Sequence, residues 1–330
     1  MLLVFLLFFA SAVAIYVACE FFVNGVEWVG CHLRLGATAV GTVLAAFGTA
    51  LPESAVTFVA VVFGGTPEQK EIGVGAALGG PLVLATLAYA VVGIMLWLKT
   101  RRGEPCTIKA NQARLARDQI WFLAIFAVKI LLGLLVFAWK PWLGLLFLLA
   151  YALYVRRELC ADEGAMIMED LEPLKLRPRD PSMTWAAVQT ALALAAIAYA
   201  SHVFVQQIAA IGDWAGIAPH MAALLLAPVA TELPEIMNAV IWVRQGKERL
   251  ALANISGAMM IQATIPSALA IFMTPWLLDG PLLLAGALTA LSIGALWLKF
   301  SKGTMQLGRL SGVGALYLLF AIVIGLHFSR

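Results

Sequence analysis

The chain has 330 residues, of which 62% are hydrophobic and 12% charged, and its mean hydropathy is +0.92. Soluble domains carry about a quarter charged residues, so the composition is that of an integral membrane protein and excludes a soluble enzyme. The net charge of +3 comes from loops on one side of the membrane, and no nucleic-acid partner is expected.

Apolar stretches long enough to cross about 30 Å of hydrocarbon fall at 2–23, 37–63, 72–98, 118–138, 141–155, 184–211, 219–243, 250–273, 276–298 and 308–328. They are continuous rather than alternating, which predicts helices and not barrel strands. The expected fold class is an all-α integral membrane protein with ten transmembrane helices.

The first stretch has no basic flank and runs past Cys19 and Glu20 to Val23, so it reads as a helix and not as a leader. The second carries "GTALPES" at 48–54. The third carries "GVGAALGG" at 73–80, which has no preceding strand and reads as close packing by small residues rather than a phosphate loop. Lys129 lies near the middle of the fourth, either as the counter-ion of an acid or as a lysine that snorkels or reaches a cavity. Trp139, Trp142, Trp276 and Trp297 fall near span ends and read as interfacial anchors.

After the fifth stretch comes "RRELCADEGAMIMEDLEPLKLRPRDPS", residues 156–182, the most polar part of the chain and a cytoplasmic linker with no EF-hand pattern. The sixth stretch contains His202, which an offset of 182 relates to Glu20; such a pair suits a proton shuttle, or each sits at the wet end of its helix. The seventh carries "ATELPEI" at 230–236, and the eighth holds Asn254, Gln262 and Pro266.

The two Pro-Glu motifs coincide at the same offset of 182: Thr49 with Thr231, Leu51 with Leu233, Pro52 with Pro234 and Glu53 with Glu235. Five stretches lie on either side of the linker, so the second copy enters the membrane from the opposite face. Residues 1–155 and 183–330 are then two inverted repeats, an arrangement that points to a midplane transport site. With the N-terminus outside, eighteen Lys and Arg fall in inward loops and three outside, Lys70, Lys140 and Arg330. The positive-inside rule therefore puts both termini outside and the linker in the cytoplasm, in a plasma or inner membrane. Cys19, Cys31, Cys106 and Cys160 lack framework spacing and are read as free thiols, the last three in cytoplasmic loops.

A proline inside a helix removes an N–H and frees the carbonyl four residues back. Pro52 would free that of Gly48, Pro234 that of Ala230, and Pro266 that of Gln262. Thr49 and Glu53 lie four apart on one face, as do Thr231 and Glu235, and Glu232 adds a third carboxylate. Hard cations take six to eight such oxygens, and an unpaired carboxylate in the membrane costs roughly 3 kcal/mol. The candidate cation site is Glu53, Glu235, Thr49, Thr231, Glu232, Gly48, Ala230 and Gln262.

In these residues, and in "ACEFFVNGVEWVG" ahead of the first motif, the chain resembles the cation/calcium exchanger superfamily of sodium/calcium and proton/calcium antiporters. Its two repeats carry a G-T-S-L-P-E core followed by a G-N-x-x-G-S-N type segment, and the chain looks like a divergent prokaryotic-type member. The resemblance implies that Glu53 and Glu235 are paired calcium-binding glutamates, that Thr49 and Thr231 help hold ions, and that the first and sixth helices slide over a fixed core. The pattern is departed from at Ala50 and Glu232, at Gly80-Pro81 and Ala258-Met259, and at Leu84, Gln262 and Ala76. These changes remove neutral oxygens that would hold Na⁺ and add a carboxylate, which suits proton coupling.

The expected function is a secondary-active antiporter, not an enzyme, exporting Ca²⁺ or a similar divalent cation against Na⁺ or H⁺. Its partners would be inorganic cations and membrane lipid, with no cofactor and no obligatory protein partner. A monovalent cation/proton antiporter on the same fold and a non-transporting ion sensor remain open. An intramembrane hydrolase lacks its Gly-x-Ser-Gly, paired aspartates or His-Glu-x-x-His.

Overall fold

The computed structural model describes residues 1–63, 67–101, 111–160, 171–179, 181–214, 225 and 227–328. Certain helical side chains, those of Glu53 and Ala230 among them, are also outside the described set, as are Cys106, all of 161–170 and, apart from 225, all of 215–226.

The described residues are helical throughout, apart from turns. In chain order they form α1 (Leu2–His32), α2 (37–63), α3 (67–101), α4 (Gln112–Leu134), α5 (Gly144–Leu159), α6 (Met183–Trp214), α7a (Ala227–Thr231), α7b (Leu233–Arg244), α8 (Glu248–Met273), α9 (Gly280–Ser301) and α10 (307–328, interrupted at Val313). Among the described residues, six helical stretches are long and apolar enough to cross a membrane: Leu2–His32, Gly73–Arg101, Met183–Phe204, Glu248–Met273, Gly280–Ser301 and Leu307–Leu326. The protein is an all-α, multi-pass membrane protein.

Local chemistry sets several helix ends. Asn111 caps α4 by accepting from Arg114 N at 3.2 Å, and Asp279 caps α9 by accepting from Leu282 N at 2.9 Å ahead of Pro281. α7b closes at Gly246, whose φ of 76° lets Lys247 N reach back to Trp242 O at 2.8 Å. Helix α2 widens into π turns at Val40–Ala45 and Val59–Phe63, on either side of its Pro-Glu motif, and α3 does so at Leu84–Ala88, just beyond Pro81.

Helix α8 is the hub. Over its apolar window 83% of residues are buried, and it packs against α2, α3, α4, α5 and α7b. Its buried Asn254, Ser256, Gln262, Thr264 and Ser267 keep it away from lipid, where polar groups are costly. Small residues permit the crossings: a Cβ on Gly257 would strike the backbone of Thr42 in α2, and one on Gly41 would lie 2.7 Å from Ala253 Cβ.

Helices α1 and α6 pack most closely on one another. Phe5 meets Trp214 and Phe8 stacks on Phe204 at one end, while Gln189 donates to Phe21 O at 2.8 Å and to Asn24 Oδ1 at 2.9 Å at the other. The pair is therefore antiparallel. Residues 171–179 lie across its second end: Asn24 donates to the Glu172 and Pro173 carbonyls, Trp28 Nε1 to Glu172 O, and Lys175 N returns a bond to Asn24 Oδ1 at 3.0 Å.

Two expectations are corrected. Cys31 does not lie in a loop, because α1 continues to His32 and buries it. The extension holds because its polar residues find partners: Asn24 in the linker, and Glu27 in Trp242 Nε1 at 2.7 Å and Lys247. Trp276 is not an interfacial anchor but fully buried, with a φ of 48°. Thr274 Oγ1 accepts its N–H at 3.0 Å, the Lys129 carbonyl accepts its indole N–H at 3.0 Å, and its carbonyl accepts from Lys140 Nζ at 3.0 Å. Burial beside the two carbonyls it bonds pushes the Lys140 ammonium below the usual lysine range. Trp139 and Trp142 are exposed, as anchors require.

Candidate ion site

The seventh helix breaks at Glu232, whose φ of −86° and ψ of 2° separate α7a from α7b. Pro234 stands in the first turn of α7b, where a missing N–H costs nothing. The break is closed by Glu232 N on Pro228 O at 3.0 Å and Ile236 N on Glu232 O at 3.2 Å. From the far side Cys19 of α1 points its thiol at the Pro234 carbonyl, 3.8 Å away.

Glu232 is fully buried. Its Oε1 accepts from Gln262 Nε2 of α8 at 2.7 Å. Gly80 of α3 completes the contact, since a Cβ there would lie 2.7 Å from Gln262 Oε1 and 2.8 Å from Glu232 Oε1. Gly79 does the same for Pro228, 2.6 Å from the position of its absent Cβ. Three helices thus meet at one buried carboxylate.

Glu235 follows Glu232 by one turn, and Asn238 follows Glu235 by another, all three buried. The Asn238 amide and that of buried Asn254 in α8 have no hydrogen-bond partner among the described residues, and neither does Gln262 Oε1. Buried amides left so cost about 1–3 kcal/mol each, the usual mark of a functional position. Asn238 was missed in the sequence; its one signal is an amide a turn beyond Glu235 in an apolar helix.

The remaining predicted residues lie as follows. Thr49 is buried and its hydroxyl donates to Ala45 O at 3.1 Å, while Thr231 donates to Pro228 O at 3.2 Å, so each hydroxyl satisfies a carbonyl of its own helix. Gly48 is buried where α1 and α6 come together on α2: a Cβ would lie 2.9 Å from Phe22 and 3.1 Å from Leu194. The side chains of Glu53 and Ala230 lie outside the described residues. The carbonyl of Gln262, which Pro266 frees, accepts from Ser267 Oγ at 2.9 Å. Among the described residues no three His, Cys, Asp or Glu side chains gather as a metal centre.

Of the readings of Lys129, snorkelling is overturned. It is fully buried, so it does not snorkel, and its Nζ donates to the Ala77 carbonyl at 2.6 Å. Glu20 pairs with Lys175 at 3.1 Å, and exposed His202 pairs with Gln206 at 2.9 Å. The antiparallel packing of α1 on α6 does not bring the two together. A second polar cluster joins α2, α4 and α5, where Arg114 pairs with Glu158 at 2.6 Å, Arg157 lies 3.8 Å from Asp118 and Thr42 reaches Glu158 at 3.4 Å.

These features define a multi-pass helical membrane protein with a carboxylate-amide site at a broken helix. The chain belongs to the sodium/calcium exchanger protein family, whose model matches residues 3–157 and 185–328. It is 24% identical over 249 residues to the inner membrane protein YrbG of Escherichia coli K12, covering 73% of this chain and 70% of that one. It is 24% identical over 306 residues to CaxA of Alkalimonas amylolytica, which carries the name of an antiporter, covering 92% and 91%. Its fold is similar to structures of the sodium-calcium exchanger NCX_Mj: with Na⁺ and Ca²⁺ the TM-score is 0.76 at 18% identity, covering 97% of each chain. For the same protein soaked with zero Na⁺ and Ca²⁺ it is 0.75 at 18% identity, covering 97% and 98%.

Proposed function

We propose that the chain is a secondary-active antiporter that exports Ca²⁺ or a similar divalent cation in exchange for Na⁺ or H⁺ by alternating access. Ten helices would form two inverted repeats, 1–155 and 183–330, joined by the cytoplasmic linker 156–182, with both termini outside. The single observation that carries this is the buried junction of Glu232, Gln262 and Gly80, with Glu235 one turn away. Carboxylates there are costly unless a cation or proton meets them. The family, and the sodium-calcium exchanger whose fold the chain resembles, support Ca²⁺ as cargo. The antiparallel pairing of α1 with α6, one from each half, supports the inversion and fits a gating pair that slides on the remaining bundle. Glu53, Glu235, Thr49, Thr231, Glu232, Gly48, Ala230 and Gln262 would supply the oxygens.

The test is uptake of radioactive Ca²⁺ into proteoliposomes under an imposed Na⁺ gradient and, separately, an H⁺ gradient. Uptake that follows one gradient and is abolished by Glu235→Gln supports the proposal and names the coupling ion. No uptake under either by folded protein, or uptake untouched by Glu235→Gln, overturns it. Competition by Na⁺ or K⁺ in the absence of Ca²⁺ flux would mark a monovalent cargo.

A further inference from the structure

Lys129 stands apart from the lysines and arginines of the loops, because it is completely buried in α4, at the middle of a predicted span. Its Nζ lies 2.6 Å from the carbonyl of Ala77, 5.2 Å from the Phe126 ring centre and 5.9 Å from that of Trp276. Among the described residues no carboxylate lies within ion-pair reach of it.

The choice of Ala77 follows from Pro81. In an unbroken helix the Ala77 carbonyl would accept the N–H of residue 81, and proline has none. In the membrane interior that carbonyl needs another donor, and Lys129 supplies it from a neighbouring helix. Helical carbonyls point toward the C-terminal end, so the ammonium sits at the level of Gly80 and Pro81. Three residues beyond Ala77 along α3, Gly80 touches Glu232 and Gln262.

Resting on the antiporter reading, we propose that the Lys129 ammonium is a resident cation of the ion site. It fills one cation position from the α3 side, and so sets how many mobile cations Glu232 and Glu235 hold. The chain that lacks neutral oxygens on α3 at Ala76, Gly80 and Leu84 carries in their neighbourhood a positive charge tethered to α4.

Removing the lysine alone would strip Ala77 of its donor, so the test pairs it with a variant that restores one. Pro81→Ala returns an N–H to position 81, and Pro81→Ala/Lys129→Met then differs from Pro81→Ala only by the charge. Full-length protein is titrated with Ca²⁺ by calorimetry, and coupling is read from the Na⁺ or H⁺ dependence of uptake. The double variant is expected to bind Ca²⁺ at least tenfold tighter than Pro81→Ala and to move one more coupling ion per Ca²⁺. Equal affinity within twofold and equal coupling, at equal melting temperature, would overturn the proposal. A wild type that neither binds nor moves Ca²⁺ removes the calcium reading alone; the same two variants are then compared with Na⁺ as the probe.

Discussion

Gln262 of α8 donates its amide N–H to Glu232, the residue at which the seventh helix breaks, at 2.7 Å in a fully buried setting. The bond ties the most enclosed helix of the bundle to the carboxylate. Gln262→Leu keeps the volume and leaves Glu232 short of a donor, which costs about 1.5–3 kcal/mol for a hydrogen bond to a charged group. We expect a lower melting temperature, together with Ca²⁺ uptake reduced at least tenfold. Gln262→Glu should be worse in transport at high pH, since it sets a second carboxylate against the first. Uptake unchanged in Gln262→Leu would remove this residue from the site.

Gly80 and Gly75 provide a matched pair. A methyl on Gly80 would enter the contact between Gln262 and Glu232, whereas one on Gly75 meets nothing within 4 Å among the described residues. Gly80→Ala should therefore lose about 1–3 kcal/mol from overpacking and most of its transport. Gly75→Ala should be neutral or slightly stabilising, because alanine favours the helix. Thermal unfolding of both in one detergent, alongside uptake, checks the contrast. Equal behaviour of the two would mean that α3 does not press on the site.

Glu27 is buried against Trp242 Nε1 and the ammonium of Lys247. Breaking a buried pair by removing one partner costs about 3–5 kcal/mol, so Lys247→Met should strongly destabilise the fold. Glu27→Gln/Lys247→Met, which removes both charges, should recover most of the loss. Chemical or thermal unfolding of the three variants measures this, and a Lys247→Met protein as stable as wild type would show the pair to be unimportant.

Asn24 holds residues 171–179 against α1 and α6 through bonds to Glu172, Pro173, Lys175 and Gln189. Asn24→Leu should release that segment. Limited proteolysis ought to cut the linker at least tenfold faster than in wild type, with the helices untouched. Cleavage at the wild-type rate would place the hold elsewhere, on Trp28 or on Lys175 with Glu20.

Much of the site was legible in the sequence because it depends on local chemistry. A proline and two glutamates in an apolar run announce a freed carbonyl and a carboxylate; the structure goes further and breaks the helix, with Pro234 in the first turn of α7b. Gln262 was found through its spacing to Pro266 within one helix. What periodicity does not encode is the partner from another helix. Gly80 reads as one small residue among several until α7b and α8 are set beside it, and Lys129 has no visible partner until Pro81 is seen to leave Ala77 exposed. Trp276 misled for the same reason: its position beside a span end suggests the interface, but Lys129 and Lys140 draw it inward. Glu27, Cys31 and the end of α1 were hidden because the apolar run stops before the helix does.

Helix α1 has 31 residues and α6 has 32, which at a 1.5 Å rise makes each about 46–48 Å long. A hydrocarbon layer is about 30 Å thick. An antiparallel pair of that length must lean or extend into the headgroups at both ends, and a leaning pair changes the thickness of lipid it matches whenever its angle changes. Any sliding of the pair is then work done partly on the surrounding lipid. Acyl-chain length would then bear on any such sliding, acting from outside the protein on these two long helices.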